Sequence, residues 1–172
     1  MIEFEKTYLA KYFPEGLRDS PSKEIIDIYI PKSAMHPTLR IRQNGEKYEV
    51  TKKELVKDND SSERHEYTIS LTKDEYEVLA TLKGKRVSKV RYYYDCNRRT
   101  AEIGVFQEDL KGFVLIDFEF KTREEKNNFP MPDFCLADVT QEEFAAGGML
   151  CGKSYKDIEK NLARFGYKKL FL

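Results

Sequence analysis

Charged residues recur two apart along short alternating segments of this chain. Glu3 and Glu5 come first, then Arg40 and Arg42, then Lys89 and Arg91, and last Asp117 and Glu119, with Lys53 and Glu66 as single charges on segments between them. On an extended strand, side chains two apart face the same way, so each pair presents its charges together. Clustered Glu and Asp supply the carboxylate oxygens that hold a hard divalent cation. Clustered Arg and Lys match the oxygens of a phosphate chain. The two sets together describe a site for a metal–polyphosphate complex.

The elements that must position these groups are strands, because the dominant period is two. In residues 2 to 9, Ile2, Phe4 and Tyr8 oppose Glu3, Glu5 and Thr7. Residues 24 to 30 place Ile26, Ile28 and Ile30 in phase and stop at Pro31. Residues 39 to 42 alternate and lead to a hairpin at Asn44-Gly45. Residues 47 to 53 follow, with Tyr48 and Val50 opposite Thr51 and Lys53. In residues 64 to 71, Tyr67, Ile69 and Leu71 oppose Arg64, Glu66 and Thr68. Residues 87 to 95, 101 to 106 and 114 to 121 complete a set of about eight strands. Helices are fewer. Thr72 to Glu75 has capping-box spacing and opens a run to about Leu82. A short helix is expected over 124 to 129. Thr140 to Glu143 reads as a second capping box, with Gly147-Gly148 as the helix stop. Ser154 caps a last helix carrying Ile158, Leu162 and Phe165.

One arrangement satisfies both the apolar helix stripes and the sorted charges. It is an α+β fold: a closed eight-stranded antiparallel barrel, a tunnel with a polar interior and helices packed outside. Such an interior must hold water, metal or a charged ligand, because unpaired buried charge is too costly. The length of 172 residues suits a single domain over 1–172. Thirty Lys plus Arg balance thirty Asp plus Glu, which argues against nucleic acid held by bulk positive charge. No stretch approaches the about 18 apolar residues of a membrane span. Three dispersed cysteines and a charged start, Met1 to Lys6, fit a reducing cytoplasmic setting. A monomer or homodimer is expected.

The residues resemble the CYTH superfamily of triphosphate tunnel metalloenzymes, from Glu3 to about Tyr155. The resemblance is carried by Glu3-Phe4-Glu5, Leu39-Arg40-Ile41-Arg42, Thr51-Lys52-Lys53, Arg64-His65-Glu66, Lys89-Val90-Arg91-Tyr92 and Asp117-Phe118-Glu119. Pro130 to Asp133, Asp138-Val139-Thr140 and Lys153-Ser154-Tyr155 extend it. It implies a Mg²⁺- or Mn²⁺-dependent hydrolase of inorganic tripolyphosphate or of nucleoside or thiamine triphosphate. Metal falls to Glu3, Glu5, Glu66, Asp117 and Glu119. Phosphate falls to Arg40, Arg42, Lys53, Lys89 and Arg91, with Lys153 at the tunnel end. The implied catalytic set is Glu3, Glu5, Arg40, Arg42, Lys53 and Arg91.

Three positions depart from the family pattern. Thr7 stands where a Lys belongs, Thr68 where a second Glu often follows, and Gly104 where an Asp is usual. Asp117 also replaces a Glu. Lys6, on the outward parity, and Glu102, on the inward one, are candidate substitutes. The alternatives are ATP cyclisation of the class IV adenylate cyclase type and a non-catalytic module that binds polyphosphate or a nucleotide. Processing of RNA 5′-triphosphates is disfavoured by the neutral charge. His36 and His65 read as incidental, Cys135 and Cys151 as packing residues, and Tyr93 as the inward member of its Tyr triplet.

Overall fold

The computed structural model describes all residues, 1–172. Its strands are β1 (Ile2–Ala10), β2 (Ser22–Ile30), β3 (Leu39–Asn44), β4 (Lys47–Leu55), β5 (Glu63–Leu71), β6 (Lys85–Cys96), β7 (Arg99–Phe106), β8 (Val114–Phe120) and β9 (Cys135–Asp138). The helices are α1 (Lys73–Leu79), α2 (Arg123–Asn127), α3 (Gly147–Leu150) and α4 (Tyr155–Ala163). The sheet runs β5-β4-β3-β2-β6-β7-β8-β1, and a further β5–β1 pairing closes it. Every pairing is antiparallel. Eight strands therefore make the barrel, as the alternation predicts. The ninth, β9, pairs with the far end of β1 at Tyr8, Leu9 and Ala10 and has no counterpart in the sequence reading.

Closure rests on a short seam. β1 meets β5 only at Ile2–His65, Glu3–Arg64 and Phe4–Glu63. A buried ionic cluster secures it from outside. The Lys126 ammonium donates to Ser62 Oγ at 2.6 Å and to Glu63 Oε1 at 2.9 Å, and Arg123 donates to both Glu63 oxygens at 2.6 and 2.7 Å.

Two apolar clusters form the core. One lies on the outer wall of β1, β7 and β8, with Tyr8, Ile103, Ile116, Phe118 and Phe134; Tyr92 and Tyr94 pack against it, as their outward parity requires. The other stoppers one end of the barrel. Leu9, Tyr29, Val87, Phe106 and Leu115 continue the inward parity of Thr7, Asp27, Lys89, Gly104 and Asp117, and they are buried with Val139, Leu150, Ile158 and Leu162. The stripe of α4 thus packs across the barrel end. The opposite outer wall is not covered. Tyr67 and Ile69 of β5 are 54% and 66% exposed, although α1 seats Tyr76 on Tyr48 beside them, with ring centroids 4.8 Å apart. No helix is long and apolar enough to cross a membrane.

Local signals hold at α1, where the Thr72–Glu75 capping box forms, and at α4, where Ser154 and Asp157 form another. Two expectations are corrected. Thr140 caps no helix: its hydroxyl accepts from the Thr7 N–H at 3.0 Å and donates to Asp138, so a short 3₁₀ turn at Glu143–Ala145 stands where the helix was expected. Gly147-Gly148 does not stop a helix but opens α3. A Cβ on Gly147 would lie 2.2 Å from the Tyr29 hydroxyl, and one on Gly148 would lie 2.2 Å from the Pro37 carbonyl. Both positions are occupied by close packing of α3 against the barrel rim.

Candidate active site

The bore is a single cavity of about 910 Å³. Glu3, Glu5, Arg40, Arg42, Lys53, Glu66, Lys89, Arg91, Asp117 and Glu119 all line it. Each comes from a different position on an alternating strand, and the barrel brings them to one hollow. Lys153 is exposed and lies outside the lining. The connection after α3 carries it past the barrel end, a placement that no strand pattern reports.

Of the five carboxylates implied as metal ligands, three converge. Oxygens of Glu3, Glu5 and Glu119 lie within 4.8 Å of one another. The other two turn to different partners. Glu66 takes a hydrogen bond from Thr68 at 2.9 Å and lies 3.0 Å from the Lys53 ammonium. Asp117 accepts from the Thr7 hydroxyl at 2.8 Å, and the same hydroxyl reaches Glu5 at 3.2 Å. Three carboxylates with no sulfur or imidazole among them suit a hard divalent cation. Burial and then the charges of Glu102, Glu3 and Glu5 push the Glu119 carboxyl up to about 7. Burial and then Glu5 raise Asp117 as well. Burial acts the same way on Glu5, yet Lys53, Arg64 and Arg91 outweigh it and hold that carboxyl below its ordinary value.

The cations divide by partner. Arg42 is held by Asp27 through two hydrogen bonds, Nε to Oδ1 at 2.6 Å and Nη2 to Oδ2 at 2.8 Å. Lys53 is bonded to Glu3, and Arg91 to Glu102. Arg40 donates only to the Tyr29 hydroxyl, at 3.4 Å. Lys89 lies over the Phe106 ring at 5.3 Å; burial, then the charge of Arg91, pushes its ammonium down to about 8. The Nε groups of Arg40 and Arg91 are buried without any hydrogen-bond partner. Buried guanidinium N–H groups left unpaired are costly, and both belong to residues that line the bore.

The chain around these groups is recognisable. The model of the CYTH domain matches residues 6–127. This chain belongs to the CYTH family. The inorganic triphosphatase NE1496 superposes on it with a TM-score of 0.62 at 24% identity, over 88% of this chain and 95% of that one. The PH1012 protein from Pyrococcus horikoshii OT3 superposes with a TM-score of 0.52 at 18% identity, over 96% and 91% of the two chains. No curated relative matches in sequence.

Against the CYTH pattern, the structure locates each departure. Thr7 ties Glu5 to Asp117 through its hydroxyl. Lys6 points outward, 3.9 Å from Asp138 of β9, and does not replace the missing lysine. Glu102 faces the bore but is engaged by Arg91. Gly104 leaves room for Lys89, whose Cδ and Nζ would lie 3.0 and 3.4 Å from a Cβ there. His65 stacks on Tyr67 outside the lining. His36 is at the rim, with Nδ1 3.4 Å from a Glu143 oxygen. Tyr93 lies outside the cavity lining, beneath the Lys23 ammonium at 5.9 Å. Cys135 and Cys151 are buried packing residues whose thiols burial pushes up to about 12 and about 11.

Among the lining residues, Asp27, Tyr29 and Glu49 carry no role in the sequence pattern, and Arg64 is placed by it on the Glu66 face without one. Each has a legible signal. Arg64 and Glu49 share parity with Glu66 and Lys53. Asp27 and Tyr29 alternate with the isoleucines of β2, whose apolar run drew attention to the wrong face.

Proposed function

We propose that this CYTH protein is a divalent-metal-dependent hydrolase of triphosphate compounds that works inside the bore. The observation that carries the reading is one hollow in which the Glu3–Glu5–Glu119 triad faces six basic side chains, two of them with orphaned buried N–H groups. The triphosphatase NE1496, of the same fold, supports it.

Eleven carboxylates line the bore against six Lys and Arg side chains. A polyanion is therefore repelled unless cations accompany it. A divalent ion on Glu3, Glu5 and Glu119 would neutralise phosphate oxygens and lower the pKa of a bound water. The protein's own part is electrostatic. Arg40 and Lys89, which lack carboxylate partners, receive phosphate oxygens most directly. Arg42 and Arg91 present their remaining N–H groups from fixed positions. Donors held in place before the reaction stabilise charge on the phosphoryl oxygens of the transition state. Water adds to the terminal phosphorus, the bridging P–O bond breaks, and phosphate and diphosphate leave.

The test is Mg²⁺- and Mn²⁺-dependent phosphate release from tripolyphosphate, ATP and thiamine triphosphate, with product identification. Glu5→Gln is expected to lower the rate by about 100-fold or more, the scale of losing one electrostatic contributor. Activity unchanged in EDTA rejects the reading. Formation of cyclic AMP from ATP instead selects cyclisation. A binding-only role has one observation in its favour: Thr7 fills the lysine position and engages Glu5 and Asp117. Tripolyphosphate that binds tightly and never turns over, with either metal, selects that role.

A further inference from the structure

A cation already stands among the acidic residues, and it is tethered to the chain. Lys53 of β4 reaches past β5 to β1, where its ammonium is hydrogen-bonded to Glu3 and lies 3.9 Å from Glu5. Glu66 of β5 is 3.0 Å away. Glu3 and Glu5 are two of the three converging carboxylates. An ammonium bonded to Glu3 takes up one of its two carboxylate oxygens and sets a positive charge beside the place where the three carboxylates converge. On its other side Lys53 feels the repulsion of Arg40, one of the guanidinium groups with an orphaned N–H.

We propose that Lys53 is an internal counter-ion: it competes with the divalent cation for Glu3 and Glu5, and an incoming phosphate oxygen draws it away. The proposal rests on the reading of Glu3, Glu5 and Glu119 as a metal site. Without phosphate, Lys53 satisfies the acidic cluster and weakens metal binding. A phosphate oxygen lodged between Arg40 and Lys53 relieves their repulsion and offers the ammonium a second partner. Glu3 is then freed. Linkage makes the effect reciprocal, so metal and phosphate each tighten the other. The bore is thereby biased to take up the two together.

The experiment is Mn²⁺ binding to the whole protein, without phosphate, followed by electron paramagnetic resonance of the free ion. Lys53→Gln is expected to bind Mn²⁺ about tenfold or more tightly than the unmodified protein, within the usual range of coupling between sites. Lys53→Arg keeps the charge and is expected to bind as weakly as the unmodified protein. Arg64→Gln is the control for charge alone. Arg64 acts on Glu5 through space, and its Nε is bonded to the Ser61 carbonyl. Its loss is expected to change affinity by no more than about threefold, as for a screened charge without contact. Equal tightening in the Lys53→Gln and Arg64→Gln proteins, tight binding in Lys53→Arg, or no change in Lys53→Gln overturns the competition and leaves the metal reading standing. No Mn²⁺ binding in any of the proteins overturns both.

Discussion

Asp27 and Arg42 face each other across the β2–β3 pairing, and the carboxylate grips the Nε–Nη2 edge of the guanidinium at 2.6 and 2.8 Å. Both are buried, at 4% and 6% exposure. Burial opposes the charge on Asp27, but Arg42 outweighs it and holds the carboxyl well below the usual range. The pair fixes how Arg42 enters the bore. It also cancels one positive charge there.

Removing one partner of a buried pair leaves the other uncompensated, which costs about 3–5 kcal/mol. Asp27→Ala is expected to lose stability on that scale in urea denaturation. Tripolyphosphate with Mg²⁺ is expected to restore more stability to Asp27→Ala than it adds to the unmodified protein, because the ligand's oxygens meet the stranded guanidinium. Equal ligand stabilisation of the two proteins, read as the shift in urea midpoint, would place Arg42 out of contact with the anion.

The strand pattern made most of the bore legible, and its limits are physical. Parity of two assigns a side chain to a face, so Glu3, Glu5, Arg40, Arg42, Lys89, Arg91, Asp117 and Glu119 could be sorted inward from local sequence. It does not choose partners. Lys53 meets Glu3 only because β5, next to β4, also pairs with β1, far away along the chain. Nor does parity tell how far along a strand the polar lining extends. Leu9, Val87 and Leu115 follow the charged residues on the same face and belong to the stopper, where α4 and the α3 segment meet the barrel. Asp27 was hidden by Ile26, Ile28 and Ile30, whose outward face is only half-buried.

Lys89 sets a pH dependence. Its ammonium is pushed down to about 8 by burial and Arg91, so it is charged below that pH and neutral above. A phosphate oxygen beside it stabilises the charged form, so binding above pH 8 must take up a proton. Affinity is therefore full below about pH 8 and falls as pH rises, by up to about tenfold per unit. Titration calorimetry with Mg²⁺ and a non-hydrolysable imido analogue of tripolyphosphate checks this. Lys89→Arg keeps its charge throughout and is expected to retain only the ligand's own titration. Gly104→Asp, which sets a carboxylate against the Lys89 ammonium, is expected to move the break to higher pH.

Gly147 predicts a different kind of loss. The Tyr29 hydroxyl stands where its Cβ would be, at 2.2 Å, and Tyr29 receives the hydrogen bond of Arg40. Gly147→Ala must push Tyr29 or α3 aside. Overpacking of this kind costs about 1–3 kcal/mol, and the displaced Tyr29 no longer steadies Arg40. A lower urea midpoint together with weaker binding of the imido analogue is expected. Loss of stability with binding intact would show that Arg40 keeps its position without Tyr29.

The seam between β1 and β5 ties the outside of the barrel to the acidic triad. Glu3 pairs with Arg64, and the neighbouring Phe4 pairs with Glu63, whose side chain is clamped by Arg123 and Lys126. None of these last three lines the bore. Hydrogen bonds from Arg123 and then Lys126 hold the Glu63 carboxyl down at about 2, against burial. A depressed carboxyl stabilises the fold above its unfolded pKa, and the contribution is lost as pH falls from about 5 towards 2. Glu63→Gln is expected to remove this part of the acid transition in thermal unfolding. It also loosens the strand that carries Glu3. Mn²⁺ affinity is therefore expected to fall in Glu63→Gln although no bore residue has changed, whereas a substitution such as Lys73→Gln on exposed α1 leaves it unaltered. Unchanged Mn²⁺ affinity in Glu63→Gln, with the acid transition shifted as expected, would show that the rest of β1, paired to β8 along Phe4–Leu9, holds Glu3 in place on its own.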